Sequence, residues 1–459
     1  MSRPVQASLT RLEEIAGSTN VLANPVQLAS RQVDGLLPSA IARPADAAQI
    51  GEILRFAATE KLAVIPCGGG TKLGIGSPPT HYDIALDLSR MNRVLAYDPH
   101  DLTLGAEPGV RIEDLLRTLA EQRQFLPLAV PFSHHATIGG IVAANSSSPL
   151  RHAYGGVRDF CLGMEFVTGE GTIAKSGGSV VKNVTGYDLH QLLIGSLGTM
   201  GVITRINFRT FPMLSAQGTF VASFSDAGAA FSFCRAIAHS VLTPQIVEVA
   251  DPGAAHLLFS AGGPARIEPR TLSVVISAAG QPEVVDRYAH ELGHMASTSS
   301  AQEFVHLGEA EVSPVLARIR EFPRLILEAA PSAAIFRVGI LPTAMEGLFD
   351  ELAKLAVRNS FDLITLTRAS GIMYVALLPR EGDTPSPAAM MKAVQEVFSI
   401  CGKSEINASA MLEWSPAEVK TAVGGVWGPS RQDFGLMRRV KSSFDPKGVL
   451  SPGRFAGGI

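Results

Sequence analysis

Apolar and polar positions along the chain alternate in two distinct regimes. Between residues 39 and 66 the pattern reads strand, helix, strand. "SAIARP" is extended, Asp46 is placed to cap a helix with Ile50, Ile53, Leu54 and Ala57 on one face, and "LAVIP" returns as a buried strand. Strand-like "DIALDL", "RVLAY" and "LTLGAEPG" follow, and then a helix from about Arg111 to Gln124 with Ile112, Leu115, Leu116 and Leu119 in register. "LGMEFVTGEGTIAKS" is a hairpin pattern around Gly169-Glu170-Gly171, "YDLHQLLIG" a short helix, and "GVITRINFRTF" the strand after it. From about residue 217 a second regime starts. Strands "GTFVASF", "QIVEVA", "LSVVISA", "AIFRVGIL", "DLITLTR" and "GIMYVALL" are interleaved with helices over 226–240, 281–295 and 343–358. That is a strand-and-helix pattern met twice, and it predicts a second α+β layer domain.

The length of 459 residues fits two or three domains. Charged residues make up only 18%, against about 25% in an average soluble domain. The net charge of −3 argues against a nucleic-acid partner, which would call for a basic stripe. No apolar run reaches the roughly 18 residues that span a bilayer. The opening "MSRPVQASLTRLEEIAG" lacks the apolar centre of a signal peptide, so a cytoplasmic chain is expected, with membrane contact only peripheral and through an assembly. The four cysteines are scattered with no CxxC spacing, so neither an iron–sulfur cluster nor any other metal site is expected within the chain.

Candidate chemistry lies in the glycine-rich turns. "PCGGGTKLGIG" (66–76) leaves the second strand as a loop whose backbone can approach a ligand closely. It is not a Walker A loop, because Leu73 stands where Ser or Thr must follow the lysine. Nor is it a GxGxxG fingerprint, since Gly68, Gly70 and Gly74 leave one residue too many. Taken alone, the loop also reads as a glycine-rich surface turn. Further such segments follow: "HHATIGGIVAANSSS", "YGGVRDF", "GGSVVKNVTGYDL" and "GSLGTMGVIT". So many within one stretch of chain suit an extended dinucleotide better than a single phosphate.

The ordered set CGGGTKLGIG, ATIGG, YGGVRD, VVKNVTGYDL, GSLGTMGVIT and FDPKGVLSPGR resembles the vanillyl-alcohol-oxidase and p-cresol-methylhydroxylase type of FAD flavoproteins. Among them it looks most like the FAD-binding (E) subunits of bacterial glycolate oxidases. The resemblance implies an α+β chain: a helical extension over 1–36, a two-subdomain FAD-binding domain over 37–212, an α+β substrate domain with an antiparallel sheet and helices over 213–425, and a segment over 426–459 that returns to the FAD domain. It also implies that Pro66, Gly68, Gly69, Gly70 and Thr71 cradle the FAD pyrophosphate, with Lys72 close by and Gly74 completing the turn. Thr137, Ile138, Gly139 and Gly140 would meet the diphosphate from the other side. Gly155, Arg158 and Asp159 would lie against the flavin half, and Gly198, Thr199, Gly201 and Val202 against the adenosine half. Lys182 and Asn183 would fix the flavin side of the fold. Some relatives attach FAD through a histidine in the first loop. Residues 66–76 contain none, so FAD is expected to bind noncovalently.

Such flavoproteins take a hydride from the α-carbon of a 2-hydroxy acid, which needs a cation for the carboxylate and a base for the hydroxyl proton. The metal-binding HxHxGDGN and EHG signatures of catalytic relatives are absent; the strand pair that should carry the first reads "TRASGIMYVALL". The remaining candidates are Arg337 and Arg368 for the carboxylate, with Tyr374 beside them, and His134 or His135 next to the ATIGG turn. The resemblance implies partners as well: a second flavoprotein subunit carrying the substrate site and an iron–sulfur subunit that removes electrons. A free-standing oxidase of another hydroxy acid or alcohol, and an FAD-bearing subunit without catalysis of its own, remain open at this point.

Overall fold

A computed structural model describes residues 3–180, 186–259, 271–358, 361–380, 386–429 and 433–459. Lys182 and Asn183 lie outside the described residues.

The first layer is a four-stranded sheet in the order Val21–Leu22, Ala40–Ala42, Ile84–Asp87, Val64–Cys67. Its last three strands are parallel, with Ala40 and Val64 both opposite Ile84. Parallel strands require a crossover, and the helix Ala47–Glu60 carries the chain from Ala40–Ala42 over Ile84–Asp87 to Val64–Cys67. Asp46 accepts from Gln49 N to start that helix, Ile50, Ile53, Leu54 and Ala57 are buried, and Lys61 stops it in a left-handed conformation. Residues from both ends of the chain join this layer. The helix Arg3–Ala16 buries Leu9, Leu12 and Ile15 in the same core, and Val21 pairs antiparallel with Ala42. At the far end, Leu450 forms a parallel bridge with Val64, and Ser451 N donates to Val64 O.

A five-stranded antiparallel sheet forms the second layer, in the order Val94–Asp98, Thr103–Ala106, Val202–Arg209, Cys161–Val167, Ile173–Gly177. The hairpin expected around Gly169–Gly171 is its outer edge. The helix Ile112–Ala120 is shorter than the run Arg111 to Gln124 read from the sequence, because the chain turns at Gln122 and Arg123 and pairs Gln124–Phe125 with Phe211–Pro212.

The third layer is one eight-stranded sheet, in the order Glu303–His306, Ala216–Phe224, Leu272–Gly280, Ile246–Ala250, Phe361–Arg368, Ile372–Pro379, Ala334–Gly339, Ser409–Trp414. Every pairing in it is antiparallel. One face packs on the helices Ala227–Ala238, Pro282–Thr298, Met345–Arg358 and Pro387–Cys401. The other face packs on the shorter helices Pro252–Phe259, Glu309–Arg320 and Phe322–Ala329, and also on Ile75, Phe132, Ala144 and Leu197 of the first two layers. Side chains alternate across a strand. Arg337 therefore shares the parity of Ile335 on that second face, and its cross-strand neighbours are Tyr374 and Met411.

Candidate cofactor cleft and adjoining cavity

The strand Val64–Cys67 ends in the glycine loop, which lies pressed against residues 135–137. A Cβ on Gly69 would sit 1.7 Å from the His135 carbonyl oxygen, and one on Gly68 would sit 2.1 Å from Thr137 Oγ1. No side chain fits at either place, so the backbone itself faces the space beyond. Thr137 accepts from Gly140 N at 3.4 Å and opens the helix Ile138–Ala143.

The resulting cleft runs between Pro66, Gly68, Gly69, Gly70, Thr71 and Lys72 on one wall and Thr137, Gly139 and Gly140 on another. Ser196, Leu197, Gly198 and Gly201 close it, together with Arg454 from the C-terminal segment. Most of the residues expected around the diphosphate thus meet at one place. Ile138 and Val202 sit instead in the core beneath, both fully buried. Gly74 faces away and accepts through its carbonyl from Lys420 Nζ. Gly155 and Asp159 do not line the cleft: the Asp159 carboxylate accepts from Gly156 N at 2.7 Å and starts the helix Val157–Phe160.

Two cations mark the cleft. Lys72 Nζ has Thr71 Oγ1 at 3.4 Å and no carboxylate within ion-pair distance among the described residues. Burial pulls its ammonium down to about 8, against the opposing fields of Glu413 and Glu321. Arg454 is 2% exposed. Its Nη2 donates to Leu73 O at 2.6 Å and to Ile75 O, whereas Nη1 is buried with no hydrogen-bond partner among the described residues. Burial lowers this guanidinium to about 10. A buried donor without an acceptor is costly, which suits a site whose acceptors belong to a bound group. The residues present therefore fit a dinucleotide: amides on one side, a guanidinium nitrogen on the other. The sequence reading missed Arg454 as a cleft residue. Its only sequence signal is its place in the FDPKGVLSPGR segment.

The cleft meets a second, larger cavity at Ala144, Ser196 and Leu197. Arg337 is in its wall. Arg337 Nε pairs with Glu413 at 2.7 Å, Nη1 donates to Asn145 O at 2.7 Å, and among the described residues Nη2 has only the Met411 thioether, at 3.8 Å. Arg158 and Thr199 also line this cavity and not the cleft. Arg158 Nη2 donates to Ile194 O at 2.7 Å, and Thr199 Oγ1 to Ser196 O at 2.7 Å.

Arg368 is placed differently from Arg337. It is 2% exposed and lines neither space; Nε pairs with the fully buried Glu248 at 2.9 Å, and Nη1 donates to Ser147 O and Oγ. Its guanidinium lies 5.0 Å from the centroid of Tyr374, itself buried. Burial raises the Tyr374 phenol above its ordinary range, which leaves it protonated. His134 is exposed and pairs with Glu113 at 2.9 Å, while His135 is exposed on the outer side of the glycine loop beside Arg31 and Arg111. Cys67 is buried, with its thiol pushed up to about 12 by the dry surroundings, in keeping with a packing role.

Known proteins resemble this chain in sequence and in fold. Residues 38–177 match the FAD binding domain family, and residues 429–455 match the C-terminal domain of FAD linked oxidases. The glycolate oxidase subunit GlcD of Bacillus subtilis (strain 168) is 25% identical over 91% of this chain and 89% of its own length. A D-2-hydroxyglutarate dehydrogenase of Xanthomonas citri pv. viticola is 26% identical over the same shares. Among solved structures, p-cresol methylhydroxylase with substrate bound superposes with a TM-score of 0.79 at 17% identity, covering 99% of this chain and 97% of that one. Among the described residues no helix is long and apolar enough to cross a membrane. With cleft residues 68–72, Thr137, Gly139 and Gly140 in the matched domain and Arg454 in the matched tail, the chain is an FAD-linked oxidoreductase with the p-cresol-methylhydroxylase-type FAD-binding fold.

Proposed function

We propose that this protein oxidises the CH–OH group of a 2-hydroxy acid with noncovalently held FAD, and that it works in the cytoplasm as a subunit of a glycolate-oxidase-like complex. The observation that carries this reading is the adjacency of two spaces: a glycine cleft with a guanidinium nitrogen that has no partner among the described residues shares the wall residues Ala144, Ser196 and Leu197 with a cavity lined by an incompletely paired arginine. The names of the related proteins, a glycolate oxidase subunit and a 2-hydroxyglutarate dehydrogenase, point to the same substrate class.

In this reading Gly68 to Thr71 and Gly139–Gly140 offer backbone amides to the pyrophosphate, and Lys72 and Arg454 neutralise it. Bound FAD supplies the acceptor for a hydride. Arg337 holds the substrate carboxylate, exchanging its weak thioether contact for a charge-assisted hydrogen bond. Glu413 keeps the guanidinium plane fixed through Nε. Electrons leave through a second flavoprotein subunit and an iron–sulfur subunit, since the four cysteines are scattered over four separate elements or their ends.

An anaerobic absorbance spectrum of the purified chain with D-lactate and with glycolate tests the proposal. Bleaching of the flavin band by either acid is the expected result for a chain that carries its own substrate site. A band that stays oxidised with the chain alone, but bleaches once the partner flavoprotein is added, assigns the substrate site to the partner. Absence of any flavin after reconstitution with FAD overturns the proposal.

A further inference from the structure

The cavity beside the cleft is about 460 Å³, and its walls are mostly apolar: Met411, Trp427, Phe455, Met437, Leu197 and Met200. Its fixed cation on the sheet side is Arg337, whose Nη2 faces only a thioether among the described residues. The other cations along it are engaged elsewhere. Lys441 donates to Thr199 O, Asp445 and Leu450 O, and Arg158 turns toward the carbonyls of Ile194 and Gln191 at the exposed rim. A ligand that matches such a space carries one anionic group and a bulky apolar body. Glycolate would leave most of the apolar wall in contact with water. A dicarboxylate would bury its second charge among methionines and aromatics. Methionine side chains adapt to irregular apolar shapes, so the wall suits branched and aromatic groups alike.

We propose that this cavity selects 2-hydroxy acids with a large apolar substituent, such as 2-hydroxy-4-methylpentanoate or 3-phenyllactate, over glycolate and over 2-hydroxyglutarate. The inference rests on the proposed oxidation of a 2-hydroxy acid and specifies its substrate. Oxidation turns the C–OH of such an acid into the C=O of a 2-oxo acid, with the hydride passing to FAD and the hydroxyl proton to water. Each methylene group removed from water contributes roughly fourfold to binding. The preference over glycolate should therefore reach on the order of a hundredfold in the ratio of reduction rate to Kd.

The experiment has two readouts on the FAD-loaded protein. The first is the anaerobic rate of flavin bleaching with both enantiomers of 2-hydroxy-4-methylpentanoate and 3-phenyllactate, and with D-lactate, glycolate and D-2-hydroxyglutarate. The second is fluorescence quenching of Trp427 by 4-methyl-2-oxopentanoate and by glyoxylate, with Trp427→Phe as the control for the other tryptophan. Faster bleaching and tighter quenching by the apolar members support the inference. So does a Met437→Trp variant that keeps its FAD but loses about tenfold of the phenyllactate preference over D-lactate. Equal or faster reduction by glycolate or D-2-hydroxyglutarate overturns it. So does loss of FAD from Met437→Trp, since the cavity would then belong to the cofactor's bed. If no hydroxy acid bleaches the flavin, with or without the partner flavoprotein, yet the apolar oxo acid still quenches Trp427 more tightly than glyoxylate, the cavity's preference stands and the proposed oxidation fails. If neither oxo acid quenches, the inference fails.

Discussion

Lys72 shows how a single side chain can report on the cofactor. Half-buried in the cleft wall and without an ion pair among the described residues, its ammonium is pulled down by burial to about 8. The pyrophosphate of FAD beside it would favour the charged form, so the complex holds a proton that the FAD-free protein gives up above that pH. The state that binds more protons is weakened as pH rises. FAD affinity should therefore fall from about pH 8 upward, by up to tenfold per pH unit, until the ammonium in the complex also titrates. In the FAD-free protein the sign is opposite: the unfolded chain holds the extra proton, so stability rises over the same window. Titrating FAD fluorescence between pH 7 and 9.5 measures the first effect, and calorimetry in buffers of different ionisation heat measures the proton taken up. Lys72→Met should bind more weakly at neutral pH with a flat profile. A flat profile in the unaltered protein would remove Lys72 from the diphosphate.

Among the elements, the strands Ile246–Ala250 and Phe361–Arg368 place Glu248 directly opposite Arg368 in the ladder, dry on both sides. Burial raises the Glu248 carboxyl, and Arg368 opposes that shift by favouring its charged form. A pair so enclosed matters most when one half is removed. Arg368→Met should cost about 3–5 kcal/mol of stability by leaving Glu248 buried without its cation. The double variant with Glu248→Gln should recover most of that loss. Urea unfolding distinguishes this outcome from the substrate-binding role first assigned to Arg368, which would lower turnover and leave stability unchanged. Sequence alone could not separate Arg368 from Arg337, because both stand on strands with apolar neighbours; only the facing loop decides. Ser147 meets one arginine and Asn145 the other, and the two residues lie far from their partners along the chain. By contrast, the central strands and the helix Ala47–Glu60 were legible, because period and capping are local signals. Two-residue strands such as Val21–Leu22, and the bridge from Leu450 to Val64, carry no periodicity and depend on contacts across the whole chain.

For the whole molecule, the eight-stranded layer must stay seated on the FAD domain for cleft and cavity to meet. Glu321, placed just ahead of the helix Phe322–Ala329, is one clamp. Its carboxylate accepts from Phe132 N at 2.7 Å and from Ser133 N and Oγ, while Arg320 and Arg324 pair with it from behind. Burial works to raise this carboxyl, but the donors from Phe132, Arg324 and Ser133 outweigh it and hold the group below the usual range. A depressed carboxyl stabilises the fold above its unfolded value, near 4.3, and that contribution is lost as pH falls through the folded value. Stability should therefore drop below about pH 4 as the two domains lose this contact. Glu321→Gln should be less stable at pH 7 by about 1–3 kcal/mol, since a charged acceptor becomes a neutral one for buried donors. Its dependence on acid should also be shallower, so the two curves of unfolding free energy converge as pH falls toward 3. Parallel curves would show that Glu321 carries no pH-linked part of the interface and that the clamp lies with Arg337 and Arg368 instead. Convergence accompanied by FAD release below pH 4 would tie this one carboxylate to the seating that brings cleft and cavity together.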